Sequence, residues 1–478
     1  MSSIPNPIFK NKLPKISWKK IYAREYGVQY SEMAIWCLSD KAKHHIPQPS
    51  FYQIVIPEDN NTAFYIDETS WIKLEESLNL QYTSSIKQLE DYERQFTYDG
   101  ENYLKTAKKI AKLNLKKLSN KKLKNIYLDY QKKLFLYSVF IWTAFILNNY
   151  IAERASVILN NYIRKYHKDD QKELFFDSLF KPIKKSAILK LQEKIAKYNG
   201  KLSENLLENL YENFKWLSCL DIHNKPWTKK EFREHIKSFT KSQSKNTVKL
   251  AKIIEELKIK SEDSKYLSMT QRFVYIKDAR DDYRRQGVYQ ASIFFKELAR
   301  RMDINPEDVS YLQESEVLAF FNGGIKITKD LISERKKGFI LYLDENKNMV
   351  CLTGNNLIKT LKAFNLLITE KKTIKLTGTV ASRGMATGKV AIVQGVKDLN
   401  KVKKGNILVA VTTHPDYVPA MRKAAAIVTN EGGITSHAAI VSREFGIPCI
   451  VGTKHATTTL KDEEIVEVNA IEGWVKKL

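Results

Sequence analysis

The residues with the most specific chemistry in this chain are Asn430-Glu431-Gly432-Gly433-Ile434-Thr435-Ser436-His437-Ala438-Ala439-Ile440. Gly432 and Gly433 suit a tight turn, Thr435 and Ser436 supply hydroxyls, and the run from His437 onward reads as an amphipathic helix. His437 therefore falls in the first turn of a helix, where unpaired backbone N–H groups and the positive end of the macrodipole favour an anion. An imidazole is a good nucleophile at neutral pH, and a phosphoryl group on its nitrogen stays reactive enough to be passed on. Thr435 and Ser436 have a plain reading as N-cap residues and a sharper one as partners of the imidazole or of a phosphate.

The flanks say which elements must position this histidine. Ala424-Ala425-Ala426-Ile427-Val428-Thr429 reads as a buried strand running into the glycine turn. Ala439 to Phe445 reads as a helix closed by Gly446, followed by an extended Ile447-Pro448 step, a strand at Cys449-Ile450-Val451 and a turn at Gly452. With these residues in view, the segment resembles the phosphohistidine, or swivelling, domain of phosphoenolpyruvate-utilising enzymes. That family includes phosphoenolpyruvate synthase, pyruvate phosphate dikinase and rifampin phosphotransferase. The resemblance runs from about Leu376 to the C-terminus and takes in Gly378 to Val390, Gly405 to Ala410, Thr413 to Met421 and Val466 to Val475. Arg383 departs from the family pattern in the entry turn, and Asn469-Ala470 stands where an Asp-Gly turn is usual. The resemblance implies that His437 is the phosphoryl carrier, supported by Gly432, Gly433, Thr435 and Ser436. His414 and His455 lie in the same domain outside the carrier motif and read as solvated or structural.

Family enzymes carry an ATP-grasp domain that loads the histidine, and some carry a phosphoenolpyruvate-binding (β/α)8 barrel. Ahead of residue 370 there is neither a glycine-rich phosphate loop with its lysine nor a strand–helix alternation. The first 370 residues read instead as mainly helical. A basic amphipathic helix runs from Asp91 through Leu118, and helices fall near 186–197, 203–217, 228–240 and 248–257. Leu134 to Leu147 is an apolar run too short to span a membrane and reads as a buried bundle helix. Two β-hairpins fit residues 51–66 and 337–352. The fold class is thus multidomain: a mainly α-helical N-terminal and central region with short β-hairpins, plus a C-terminal α/β swivelling phosphohistidine domain. The divisions expected are 1–80 (α+β with a hairpin), 81–335 (helical), 336–372 (hairpin and linker, with the hinge at 370–373) and 373–478 (phosphohistidine domain).

A middle stretch, Arg272 through Met302 and on to Glu316, also resembles the segment between the ATP-binding and histidine domains of rifampin phosphotransferase and its relatives. In that reading Lys277, Arg280 and Arg284 line the acceptor side and steady a transferring phosphate. The competing reading pairs them with Asp278, Asp281 and Asp282 on a solvated helix face.

Composition sets the remaining bounds. At 478 residues the chain has room for several domains, and its 79 Lys and Arg against 54 Asp and Glu give a net charge of +25. Such a balance can indicate nucleic-acid or anionic-membrane contact, but the basic residues are spread over many helices and no nucleic-acid-binding motif appears; a lysine-rich proteome is the duller cause of the charge, and an acidic partner or phosphorylated substrate a third. Four cysteines without metal or redox spacing, and an N-terminus without an apolar leader, fit a reducing cytoplasm with no membrane attachment and no protein-bound metal. The expected function is a phosphotransferase component. His437 takes its phosphoryl group from a separately encoded ATP-grasp-like subunit, or from a phosphoenolpyruvate-binding one, and delivers it to a small-molecule acceptor. No cofactor is expected to bind tightly, ATP and Mg²⁺ belonging to the partner. A non-catalytic regulatory or scaffold protein is the second class, and a basic RNA- or anion-binding protein a distant third.

Overall fold

The computed structural model describes residues 16–50, 52–58, 61–198, 202–239, 247–324, 327–366, 375–434 and 436–478. The expected hinge at 370–373 and the carrier-loop residue Thr435 lie outside them.

Three long helices, Ile86–Ile110, Asn120–Lys165 and Ser261–Met302 (the central helix), pack as a bundle. The first two start at serine caps, where Ser85 accepts from the Gln88 N–H and Ser119 from the Lys122 N–H. Their shared interior is rich in aromatic residues, including Tyr92, Phe96, Tyr103, Tyr130 and Tyr137. Buried hydroxyls there pair with one another, Tyr92 with Thr143 at 2.8 Å and Tyr103 with Tyr130 at 3.0 Å. The run 134–147 belongs to the 46-residue helix Asn120–Lys165, which is long and apolar enough by composition to cross a membrane. Length therefore does not argue against a span, contrary to the sequence reading. What explains the apolar stretch is packing, since most of it is buried by neighbouring helices. The basic helix also ends earlier than its lysine pattern implies. It stops at Ile110, and Leu115 follows in a separate short turn.

In front of the bundle lies a five-stranded antiparallel sheet, β1 (Trp18–Arg24), β2 (Gln53–Glu58), β3 (Asn61–Asp67), β4 (Ile340–Leu343) and β5 (Met349–Leu352), in the order β1-β3-β2-β4-β5. Both expected hairpins form, but they join through β2–β4, with Ile54 opposite Tyr342 and Val55 opposite Leu341. The division into 1–80 and 336–372 separates strands that share one sheet. Pairing between such distant segments leaves no mark in local periodicity, and β1 was not anticipated at all.

The C-terminal unit is built on β6 (Lys375–Thr377), β7 (Thr379–Ser382), β8 (Met385–Val393), β9 (Ile407–Ala410), β10 (Ala426–Thr429), β11 (Cys449–Val451), β12 (Ile465–Asn469) and β13 (Trp474–Lys477). Their order is β6-β13-β12-β8-β9-β10-β11-β7, with β8 to β11 parallel. Asn469 does the work of the usual turn aspartate, its side-chain oxygen accepting from the Ile471 and Glu472 N–H groups at 3.0 Å each. A layer of short helices, Ala187–Ala196, Glu204–Phe214 and Lys229–Phe239, lies between this unit and the bundle. Its apolar residues, among them Leu191, Leu210, Trp227 and Phe232, share one core with Leu408, Tyr417, Met421 and Ala439 of the C-terminal unit.

Gly287 lets the central helix meet Tyr103, because a Cβ there would sit 2.2 Å from the ring. That ring is buried and stacked on Tyr137 at 5.5 Å, so it has no room to swing. On an exposed helix Gly→Ala gains up to about 1 kcal/mol, but overpacking costs about 1–3 kcal/mol. Gly287→Ala should therefore lower the urea midpoint of the full chain; an unchanged or raised midpoint would show the ring to be free.

Candidate phosphoryl-carrier site

Because β9 and β10 run parallel, their following loops emerge at the same end of the sheet, the place where open α/β folds hold ligands. The β9 loop carries Thr413, His414 and Asp416, and the β10 loop carries Glu431, Gly432, Gly433 and Ser436 before the helix His437–Phe445. Asn430 ties a third loop in, its side chain bonding Thr457 through both Oδ1 and Nδ2. Gly432 has φ +107°, and a Cβ there would lie 2.8 Å from Cβ of Ser436. Only glycine turns the chain at that point without strain. The Gly433 carbonyl accepts from the Ser436 N–H at 2.9 Å, and Ser436 caps the helix by accepting from the Ala439 N–H at 3.2 Å. Gly446 closes the helix in the left-handed conformation, as its position in the sequence implies.

His437 is the first helical residue and is half-buried. Its Nδ1 lies 2.9 Å from the Thr413 hydroxyl. With Nδ1 engaged, Nε2 is the nitrogen left to act as nucleophile. Burial, then the charges of His414, Arg285 and Lys277, push the ring down to about 3, with Asp416 opposing. The imidazole is thus neutral in this docked position across the physiological range.

Of the three cations singled out on the central helix, Lys277 acts on His437 directly, and burial lowers its ammonium to about 7. Its Nζ is buried and has no hydrogen-bond partner among the described residues. Arg280 and Arg284 are engaged inside the bundle instead. Arg280 donates to the Ile141 carbonyl at 3.1 Å and lies over Phe145. Arg284 donates to the Tyr26 hydroxyl at 2.8 Å and to Asp281 at 3.0 Å, with its guanidinium 4.9 Å from the Tyr30 ring centre. The cation that takes the expected place is Arg285, which donates to the Leu217 carbonyl and lies 4.0 Å from Asp416. Neighbouring carboxyls feel the same burial: Asp282, which accepts from the Ala187 N–H at 2.6 Å, rises to about 7 and Asp278 to about 6.

Sequence reasoning missed Thr413, Asp416, Trp227 and Arg285, and took His414 for a bystander. The Trp227 indole N–H donates to Asp416 at 2.8 Å, and His414 Nδ1 lies 3.0 Å from the other Asp416 oxygen. Burial alone would raise the Asp416 carboxyl, but His414 and Arg285 hold it well below the usual carboxylate range. The Thr413–Asp416 spacing inside the family pattern was the available signal for the first two. Trp227 and Arg285 carried none. Contacts from the first sheet and the residue that follows β1 also hold this unit: Arg24 meets Glu431 at 3.5 Å, Asn61 donates to the Gln394 carbonyl at 2.9 Å and Glu25 accepts from the Val396 N–H at 3.3 Å.

Comparison with known proteins bears on this same unit. Residues 402–473 match the family model described as PEP-utilising enzyme, mobile domain. The phosphoenolpyruvate synthase of Pyrococcus furiosus is 54% identical over 108 residues, which is 23% of this chain and 13% of that protein. A probable phosphoenolpyruvate synthase of Archaeoglobus fulgidus is 56% identical over 102 residues, 21% of this chain and 14% of that protein. The similarity to these two proteins therefore spans a small fraction of their length. An NMR structure of Enzyme I (nEIt) overlaps 60% of this chain and 79% of its own at 16% identity, with a TM-score of 0.18, too low to argue from. Motif, sheet and similarity agree on one point: the C-terminal unit of this chain matches the mobile domain of PEP-utilising enzymes.

Proposed function

We propose that this chain is the carrier and acceptor-side component of a phosphotransferase, with His437 Nε2 bearing the phosphoryl group. The observation that carries the reading is the His437 imidazole fixed through Nδ1 by the Thr413 hydroxyl at 2.9 Å, with the charges of Arg285 and Lys277 acting on it from the central helix. A phosphoryl group adds negative charge at a position flanked by Lys277 and Arg285, which supports transfer at this face. In the productive tautomer Nδ1–H donates to Thr413 Oγ1 and Nε2 keeps its lone pair for phosphorus. The ring then leaves as neutral imidazole when the group moves on, since Nδ1 keeps its proton throughout.

Loading is assigned to a separate ATP-grasp-like subunit, with ATP and Mg²⁺ bound there, and phosphoenolpyruvate is the second candidate donor. The acceptor is a small molecule admitted between the central helix and the carrier unit. Separating the two half-reactions keeps each site dry, which a hydrolysable phosphoramidate requires. The four free cysteines accord with a cytoplasmic setting.

Purified protein incubated in native extract with labelled ATP, and separately with labelled phosphoenolpyruvate, should acquire an acid-labile, alkali-stable label. His437→Ala should abolish it with the fold intact; label surviving in that variant would sink the assignment.

The lowered His437 imidazole also makes docking pH-dependent. Docked, His437 stays neutral down to about 3, whereas an undocked ring returns to imidazole's usual 6.5. The undocked state therefore takes up the proton first, so docking is unaffected above 6.5 and weakens as pH falls from there toward 3. NMR signals of the His437 ring in the full chain should stay unshifted from neutral pH to about 6. A titration midpoint between 6 and 7 would mean that the undocked carrier predominates.

A further inference from the structure

His414 takes no part in holding His437, yet it is itself held with care. Its Nδ1 lies 3.0 Å from Asp416 Oδ2, and its ring centre is 4.3 Å from that of Tyr417. Asp416 is buried and fixed from two further sides, by the Trp227 indole N–H at 2.8 Å and by Arg285 at 4.0 Å. An ionised carboxylate only accepts hydrogen bonds, so it takes Nδ1–H and fixes the tautomer in which Nε2 carries the lone pair. No described residue is hydrogen-bonded to that Nε2. His414 directly follows Thr413, the residue that binds His437, on the same β9 loop. The docked site thus brings together a carrier imidazole and a second imidazole oriented by a carboxylate, the arrangement by which a base is kept in register with its substrate.

We propose that His414 is the general base of the transfer half-reaction, and that the acceptor presents a hydroxyl that is un-ionised at neutral pH. This rests on the carrier reading above. As the acceptor oxygen attacks phosphorus, an O–P bond forms and the hydroxyl proton passes to His414 Nε2. The P–N bond to His437 Nε2 breaks, and its electron pair returns to that nitrogen, leaving neutral imidazole. His414 holds the new positive charge beside Asp416 until the proton is lost to solvent. An acceptor arriving as a carboxylate or phosphate would need no such base, so the arrangement selects alcohols and phenols.

The test uses the full chain, phosphorylated on His437 with phosphoramidate, and compares wild type with His414→Asn and His414→Gln. Asn keeps a donor toward Asp416 and removes the base, while Gln offers a nitrogen farther out without basicity, so one serves if the other misfolds. Methanol is the hydroxyl probe, read as methyl phosphate, and hydroxylamine is the probe whose lone pair attacks without prior proton loss. Transfer to methanol should fall about 100-fold or more, the lower end of general-base contributions. Cleavage by hydroxylamine should change less than about twofold. Equal loss on both probes, or no loss on either, would overturn this assignment alone. Failure of His437 to take label from phosphoramidate would overturn the carrier reading and this assignment together.

Discussion

A histidine that carries a phosphoryl group must present one nitrogen, keep the other engaged and remain neutral until it reacts. The contact between Thr413 and His437 Nδ1 is where these demands meet. It can form only because β9 and β10 are parallel neighbours whose loops leave the sheet at the same end. The glycine turn, the Ser436 cap and the Asn430–Thr457 tie then fix the ring from the other side. Loss of the parallel register by one residue would turn every side chain of β9 or β10 to the other face and separate the two loops' functional groups. Sheet topology is therefore the deepest requirement of the site.

Docking adds a second layer with a different physics. The short-helix layer 187–239 meets the carrier unit through a continuous apolar core, which is non-directional and scales with area. The contacts to the first sheet and the central helix are polar and directional: Arg24 with Glu431, Asn61 with the Gln394 carbonyl, Arg285 with Asp416. The apolar surface supplies adhesion, and the polar contacts set the register in which the carrier unit faces the central helix. Burial at this junction makes charge costly, and that cost falls on particular groups. His437 and Lys277 are driven toward their neutral forms, Asp282 and Glu431 are raised to about 7, and Asp416 stays ionised only because His414 and Arg285 accompany it.

The bundle contributes rigidity more than chemistry. Arg280 and Arg284 look like phosphate ligands on paper, yet the first is spent on a helix carbonyl and an aromatic ring and the second on two tyrosines and Asp281. Both brace the central helix so that Lys277 and Arg285 project from a fixed frame. One helical position separates Arg284 from Arg285, and about 100° of rotation sends one into the bundle and the other toward the carrier.

The carrier unit is legible in the amino-acid sequence nearly completely. The strand before the glycine turn, the helix opening at His437, the Gly446 stop and the strand beyond it are all local features, and local features are written in periodicity and turn residues. The helical character of the rest and the existence of two hairpins are legible there as well. The sequence left open that those hairpins form one sheet, that the run 134–147 belongs to a helix of 46 residues, and which cations reach His437. These emerge only on folding, because each depends on which face of one element meets another far away in the chain. His414 is the clearest instance: beside Pro415 it is an unremarked loop residue, and it acquires a role only when Asp416, Trp227 and the carrier ring are folded around it.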